Sequence, residues 1–234
     1  MDPHPVKSGS VIVALDFDSA DAARDLVEGL GDLIGFYKVG LELYAAAGMA
    51  FVRELVDRGK HVFLDLKLYD IGETVKRATV QVARSGVHFL TVHGSRAVMK
   101  AAVEGRGSSS LKLLAVTVLT SFDQEDLADL GYPCAVQDLV RLRVRKALEA
   151  GVDGIVCSPL EVAMVRALAP HAILVTPGVR SAGAGKGDQK RVATPAEAIR
   201  AGADYLVIGR QITRAPDPRQ EALRILAEIE AART

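Results

Sequence analysis

The chain has 234 residues, of which 49% are hydrophobic and 5% aromatic, with no tryptophan. Its 29 Lys and Arg balance 29 Asp and Glu, so no net field draws it to nucleic acid or an anionic membrane. No apolar run reaches the roughly 18 residues of a membrane span, and Cys134 and Cys157 form neither a disulfide framework nor a metal-binding spacing. A soluble, cytoplasmic α/β protein is expected.

Residues 1–10 are polar and proline-rich and read as a flexible N-terminal segment. From there, short apolar runs alternate with longer amphipathic stretches. Val11–Leu15 reads as a strand, followed by a helix over Ser19–Leu30 with Ser19 as its cap. Phe36–Val39 is a second strand, with a helix within Leu41–Arg58. His61–Leu66 and His88–His93 are the next strands, with helices over Gly72–Ser85 and Ala97–Glu104. Leu111–Leu119 is a fifth strand, and Val136–Ala150 its helix. Gly154–Cys157 leads to Leu160–Leu168, and Ile173–Thr176 to Pro195–Ala201, the latter capped by Thr194. Tyr205–Ile208 and a helix over Pro218–Ala231 complete the series. Gly86, Gly151 and Gly202 each stand between a helix and the next strand, where a left-handed residue ends a helix.

Eight such units predict a single-domain (β/α)8 TIM barrel, with a doubly wound open sheet as the competing arrangement. Two connections are long, Thr120–Ala135 and Thr176–Thr194. Both follow strands, which places them on the C-terminal face where barrel sites are built.

Buried strands should be apolar, yet Asp16, Lys38, Asp65 and Lys67 sit late in strands or just after them. Asp65 and Lys67 are two apart, hence on one side of an extended segment, and Asp70 follows in the loop. A structural salt-bridge network is one reading of these charges. Their convergence on one rim favours a reactive site, because buried charges add little net stability.

The segment VFLDLKLYDIGETV (62–75) resembles the signature of the orotidine 5′-monophosphate decarboxylase family. VALDF (13–17), YKVG (37–40), LTS (119–121), TPGVR (176–180), GDQKRV (187–192) and YLVIGRQIT (205–213) match in family order, across nearly the whole chain. The resemblance implies a homodimeric barrel of the stand-alone bacterial type, converting orotidine 5′-monophosphate to UMP with no metal and no cofactor. By it, Lys67 is the proton donor, set in a row with Lys38 and Asp65. Asp70 and Thr74 would enter the partner's site. Asp16 and Lys38 would contact the ribose, and Thr120 and Ser121 the pyrimidine. Arg180, Gln189, Gly209 and Arg210 would hold the phosphate.

The residues suit that chemistry. Decarboxylation leaves an electron pair on a ring carbon that delocalises it poorly, so an ammonium must stabilise the charge and then protonate it. Asp65 and Asp70 are expected to favour the ammonium form of Lys67, and Lys38 to keep Asp65 ionised. The glycine-rich loop with Gly178, Gly183, Gly185 and Gly187 is expected to close over the ligand. Metal-dependent sugar-phosphate decarboxylases and aldolases of the same superfamily share the DxKxxD pattern. By resemblance they carry an acidic residue where this chain has Lys38. A catalytically silent nucleotide-binding barrel is the other alternative.

Some residues depart from the pattern or stay outside it. The TVHGSRAVM stretch lacks a Gly-Gly pair frequent in the family. Ser181 stands where proline is frequent, which implies a slightly looser phosphate loop. His93 reads as structural or solvated and Cys157 as core. The run Arg141, Arg143, Arg145 and Lys146 reads as a solvated helix face.

Overall fold

The computed structural model describes residues 9–181 and 193–233. Eight parallel strands close into one barrel in sequence order. They are β1 (Val11–Ala14), β2 (Phe36–Gly40), β3 (His61–Leu68), β4 (Phe89–His93), β5 (Lys112–Val116), β6 (Gly154–Val156), β7 (Ile173–Thr176) and β8 (Tyr205–Ile208). The helices between and after them are α1 (Ala20–Leu30), α2 (Leu41–Asp57), α3 (Gly72–Ala83), α4 (Arg96–Arg106), α5 (Gln124–Asp129), α6 (Val136–Ala150), α7 (Val162–Leu168), α8 (Pro195–Arg200), α9 (Arg210–Thr213) and α10 (Pro218–Arg233). The open-sheet alternative is excluded by the pairing of β1 with β8. Among the described residues no helix is long and apolar enough to cross a membrane.

The expected caps form. Ser19 accepts from Ala22 N–H, and Thr194 makes a reciprocal capping box with Glu197 at the start of α8. Gly151 ends α6 at φ +80, the conformation that favours glycine there. Ser10 is buried and its carbonyl accepts from Leu206 N–H at 2.8 Å, so it belongs to the barrel rather than to a flexible N-terminal segment.

Strand periodicity explains where the charges go. Alternate residues point into the barrel, so Ile12 and Ala14, then Phe36, then Phe63, then Phe89 form an inner apolar cluster. The same alternation carries Asp16, Lys38, Asp65 and Thr91 to the next level up. The N-terminal end is filled by rings: Phe36 lies 5.1 Å from Phe89 and 5.7 Å from Tyr205, centroid to centroid. The C-terminal end is floored mostly by small residues, Ala14, Val116, Val156 and Val207, which leaves a cavity of about 510 Å³.

His88 packs against this aromatic floor, 4.7 Å from both His61 and Phe89. Burial, with positive charge from His61 and Lys112, pushes its pKa down to about 4. The unfolded chain would bind that proton near pH 6.5, so stability falls as pH drops from about 6.5 towards 4. After solvent screening the loss attributable to His88 is about 1–2 kcal/mol. Thermal melts across that window should show a shallower decline for His88→Phe than for the wild type. Parallel declines would remove His88 as the cause.

Candidate active site

The cavity at the C-terminal mouth gathers most of the expected residues. Asp16, Lys38, Asp65, Lys67, Thr120, Ser121, Arg180, Gly209 and Arg210 all line it, together with Glu42 and Arg214. Gln189 lies outside the described residues, as do Gly183, Gly185 and Gly187. Asp70 and Thr74 are exposed and do not line the cavity of their own chain.

Lys38 is nearly buried, at 9% exposure, and its Nζ donates to Asp16 Oδ1 at 2.8 Å. It also lies 4.0 Å from Asp65 Oδ2. The lysine thus stands between a half-exposed carboxylate, Asp16 (53%), and a nearly buried one, Asp65 (14%). Gly40, two residues on, supplies the room: a Cβ there would stand 2.8 Å from the Lys38 ammonium.

Asp65 is the centre of the row. Its Oδ2 accepts from Lys67 Nζ at 2.8 Å and its Oδ1 from the Thr91 hydroxyl at 2.8 Å. Burial opposes ionisation, but the charges of Lys67 and Lys38 and the two hydrogen bonds outweigh it. The carboxyl is held below the usual range. Lys67 has φ +48, the one non-glycine residue with positive φ among those described. The β3–β4 register shifts between Leu64 and Leu68, a bulge that re-aims the Lys67 side chain. Asp70 Oδ1 accepts from Ile71 N–H at 2.6 Å.

Two arginines also line the mouth, Arg180 from the loop after β7 and Arg210 from the start of α9. Burial, then the charge of Arg210, lowers the pKa of Arg180. The base of the β7 loop is closed by a bridge between Val179 and Ala193, with Arg180 N–H donating to Ala193 at 3.0 Å. Ser181 does not loosen this end. It is buried, its hydroxyl donates to Glu228 at 2.7 Å, and its N–H donates to Gln211 at 3.1 Å. A Cβ on Gly209 would meet Ala14 at an ordinary 3.5 Å, so packing within the chain does not demand glycine there.

The basic run of α6 is not wholly a solvated face. Arg143 turns inward, donating to the Thr117 carbonyl and to the Tyr132 hydroxyl. It lies four residues from both Leu139 and Ala147, which are buried, and so shares their side of the helix. His93 is half-buried, stacks on Tyr69 at 4.2 Å, and has an Nδ1 without a hydrogen-bond partner in the structure as described. Burial, with Arg143, lowers its pKa. Thr91, Glu42 and Arg214 carry no strong sequence signal, although Thr91 is a polar residue inside the otherwise apolar run FLTV.

A closed barrel with a charged, reactive mouth defines this chain as a (β/α)8-barrel enzyme. The family model described as Orotidine 5'-phosphate decarboxylase / HUMPS family matches residues 9–225, and the chain belongs to that family. It is 54% identical over 230 residues to an orotidine 5'-phosphate decarboxylase of Rhodopseudomonas palustris strain HaA2, covering 98% of each chain. A Nitrobacter winogradskyi protein of the same name is 54% identical over 220 residues, covering 94% of this chain and 92% of the relative. The crystal structure of orotidine 5'-phosphate decarboxylase from Lactobacillus acidophilus superposes with a TM-score of 0.81 at 35% identity. That match covers 94% of this chain and 98% of the other.

Proposed function

We propose that this chain converts orotidine 5′-monophosphate to UMP, the last step of de novo UMP synthesis, and does so in the cytoplasm. The observation that carries the mechanism is Asp65 held between two lysines, with Lys67 Nζ at 2.8 Å and Lys38 Nζ at 4.0 Å. The bond from C6 to the carboxylate breaks, CO₂ leaves, and its electron pair stays on C6. On this reading the Lys67 ammonium stabilises that pair and then supplies the proton. Asp16 and Lys38 hold the ribose, and Thr120 and Ser121 the pyrimidine. Arg180, Gln189, Gly209 and Arg210 take the phosphate. Phosphate binding remote from C6 contributes to the transition state once the β7 loop closes.

The site is complete only in a homodimer on this reading. Asp70 and Thr74 belong to the partner's cavity, and the exposed Tyr69 (68%) and Ile71 (76%) flanking Asp70 supply apolar surface for the contact.

Metal-dependent chemistry is disfavoured by the donor set: the ammonium of Lys38 occupies the space between Asp16 and Asp65 that a cation would need. Loss of orotidine 5′-monophosphate absorbance, followed in excess EDTA, tests the proposal. Undiminished turnover is expected. Silence in EDTA, with Mg²⁺ restoring activity on a sugar phosphate, would transfer the chain to the metal-dependent branch.

A further inference from the structure

We propose that Thr91 is a positioning residue for Lys67, coupling the backbone of the proton donor to the carboxylate that holds its ammonium. This rests on the role of Lys67 argued above. Thr91 is fully buried in β4 and carries its hydroxyl into the barrel. A buried hydroxyl needs a partner and commonly finds a nearby carbonyl, as Thr79 does with Val75 at 2.8 Å. Thr91 reaches across to the neighbouring strand instead, and touches it twice. Lys67 N–H donates to Thr91 Oγ1 at 3.0 Å, and Thr91 Oγ1 donates to Asp65 Oδ1 at 2.8 Å.

The two bonds answer a defect in the sheet. The β3–β4 ladder is interrupted between Leu64 and Leu68, and the Thr91 hydroxyl takes the Lys67 N–H there. A left-handed backbone at a non-glycine residue such as Lys67 is strained, so it persists only where its surroundings hold it. Because Lys67 N–H points into Oγ1, the hydroxyl proton is directed to Asp65. That fixes one carboxylate oxygen and leaves the other for the Lys67 ammonium. Backbone, hydroxyl, carboxylate and ammonium thus form a closed loop of contacts. The bulge that aims Lys67 and the carboxylate that receives it are set by a single atom of β4.

Valine keeps the volume and branching of threonine but can make neither bond. We therefore expect Thr91→Val to lower kcat about 10- to 100-fold, the scale of a small misplacement of a reacting group. KM, and Kd for UMP, should move by less than about threefold, since the lost contact matters in the transition state. Thr91→Ser keeps the hydroxyl and should recover most of the rate. Thr91→Ala leaves nearly the same void as serine without the hydroxyl, so the Ser–Ala difference decides the matter if the valine variant does not fold. Valine at wild-type kcat, or Ser and Ala with equal deficits, would overturn the proposal. So would parallel losses of kcat and UMP binding, which indicate a generally disordered site. Wild-type protein that does not convert orotidine 5′-monophosphate would overturn the functional reading itself, and this role of Thr91 with it.

Discussion

Lys67→Ala is expected to lower kcat/KM for orotidine 5′-monophosphate by about four to six decades. The magnitude combines roughly 10²–10³ for proton donation with roughly 10²–10³ for stabilising charge on C6. Both contributions are assigned to one ammonium because Asp65 Oδ2 holds it at 2.8 Å and, among the described residues, no second lysine takes that place, Lys38 standing 4.0 Å from the same oxygen. The fold should survive, since the Lys67 side chain is 35% exposed and Asp65 keeps Thr91 and Lys38. UMP binding by calorimetry would confirm an intact pocket. A variant within tenfold of wild type would mean that another group delivers the proton.

The second large effect concerns the dimer. Asp70→Ala alone should cost at least about two decades, because an electrostatic partner of the reacting groups is removed. Mixing it with Lys67→Ala, each nearly inactive, should restore activity. In a mixed dimer one site draws Lys67 from one chain and Asp70 from the other, and is whole. Free exchange of equal amounts should give about a quarter of wild-type specific activity, as a symmetric interface with two shared sites requires. No recovery, with subunit exchange verified independently, would place Asp70 in the site of its own chain.

Much of this architecture is legible in the sequence because strand alternation is strict. Ile173–Thr176 and Tyr205–Ile208 coincide with β7 and β8, and Val136–Ala150 with α6. The charged row is legible for the same reason: Lys38 follows Phe36 by two residues and Asp65 follows Phe63 by two, so each stands above a ring on the inner face. Elements that depend on distant contacts are not legible. Leu111–Leu119 looks like one strand, but β5 stops at Val116, and the next carbonyl, of Thr117, is taken by Arg143 of α6. The six-residue α5 has one buried apolar side chain, Leu127, too few to show a period. β3 runs two residues beyond the expected Leu66 because its bulge is held by Thr91, which belongs to another strand. Ser181 reads as a loosening substitution, yet it is anchored by Glu228, 47 residues away.

The small-residue floor and the aromatic rings beneath it make the pocket a dead end, so its electrical balance is set by its walls. Among the described residues, five cationic side chains and three carboxylates line it, an excess of two formal positive charges. A phosphate dianion brings that excess, counted on one chain's own side chains, to zero. The substrate's own carboxylate is then the surplus charge; it departs as neutral CO₂, and its negative charge stays behind on C6. The Lys67 proton cancels that charge and leaves Lys67 a neutral amine, so the pocket keeps its surplus until the lysine takes a proton back from water.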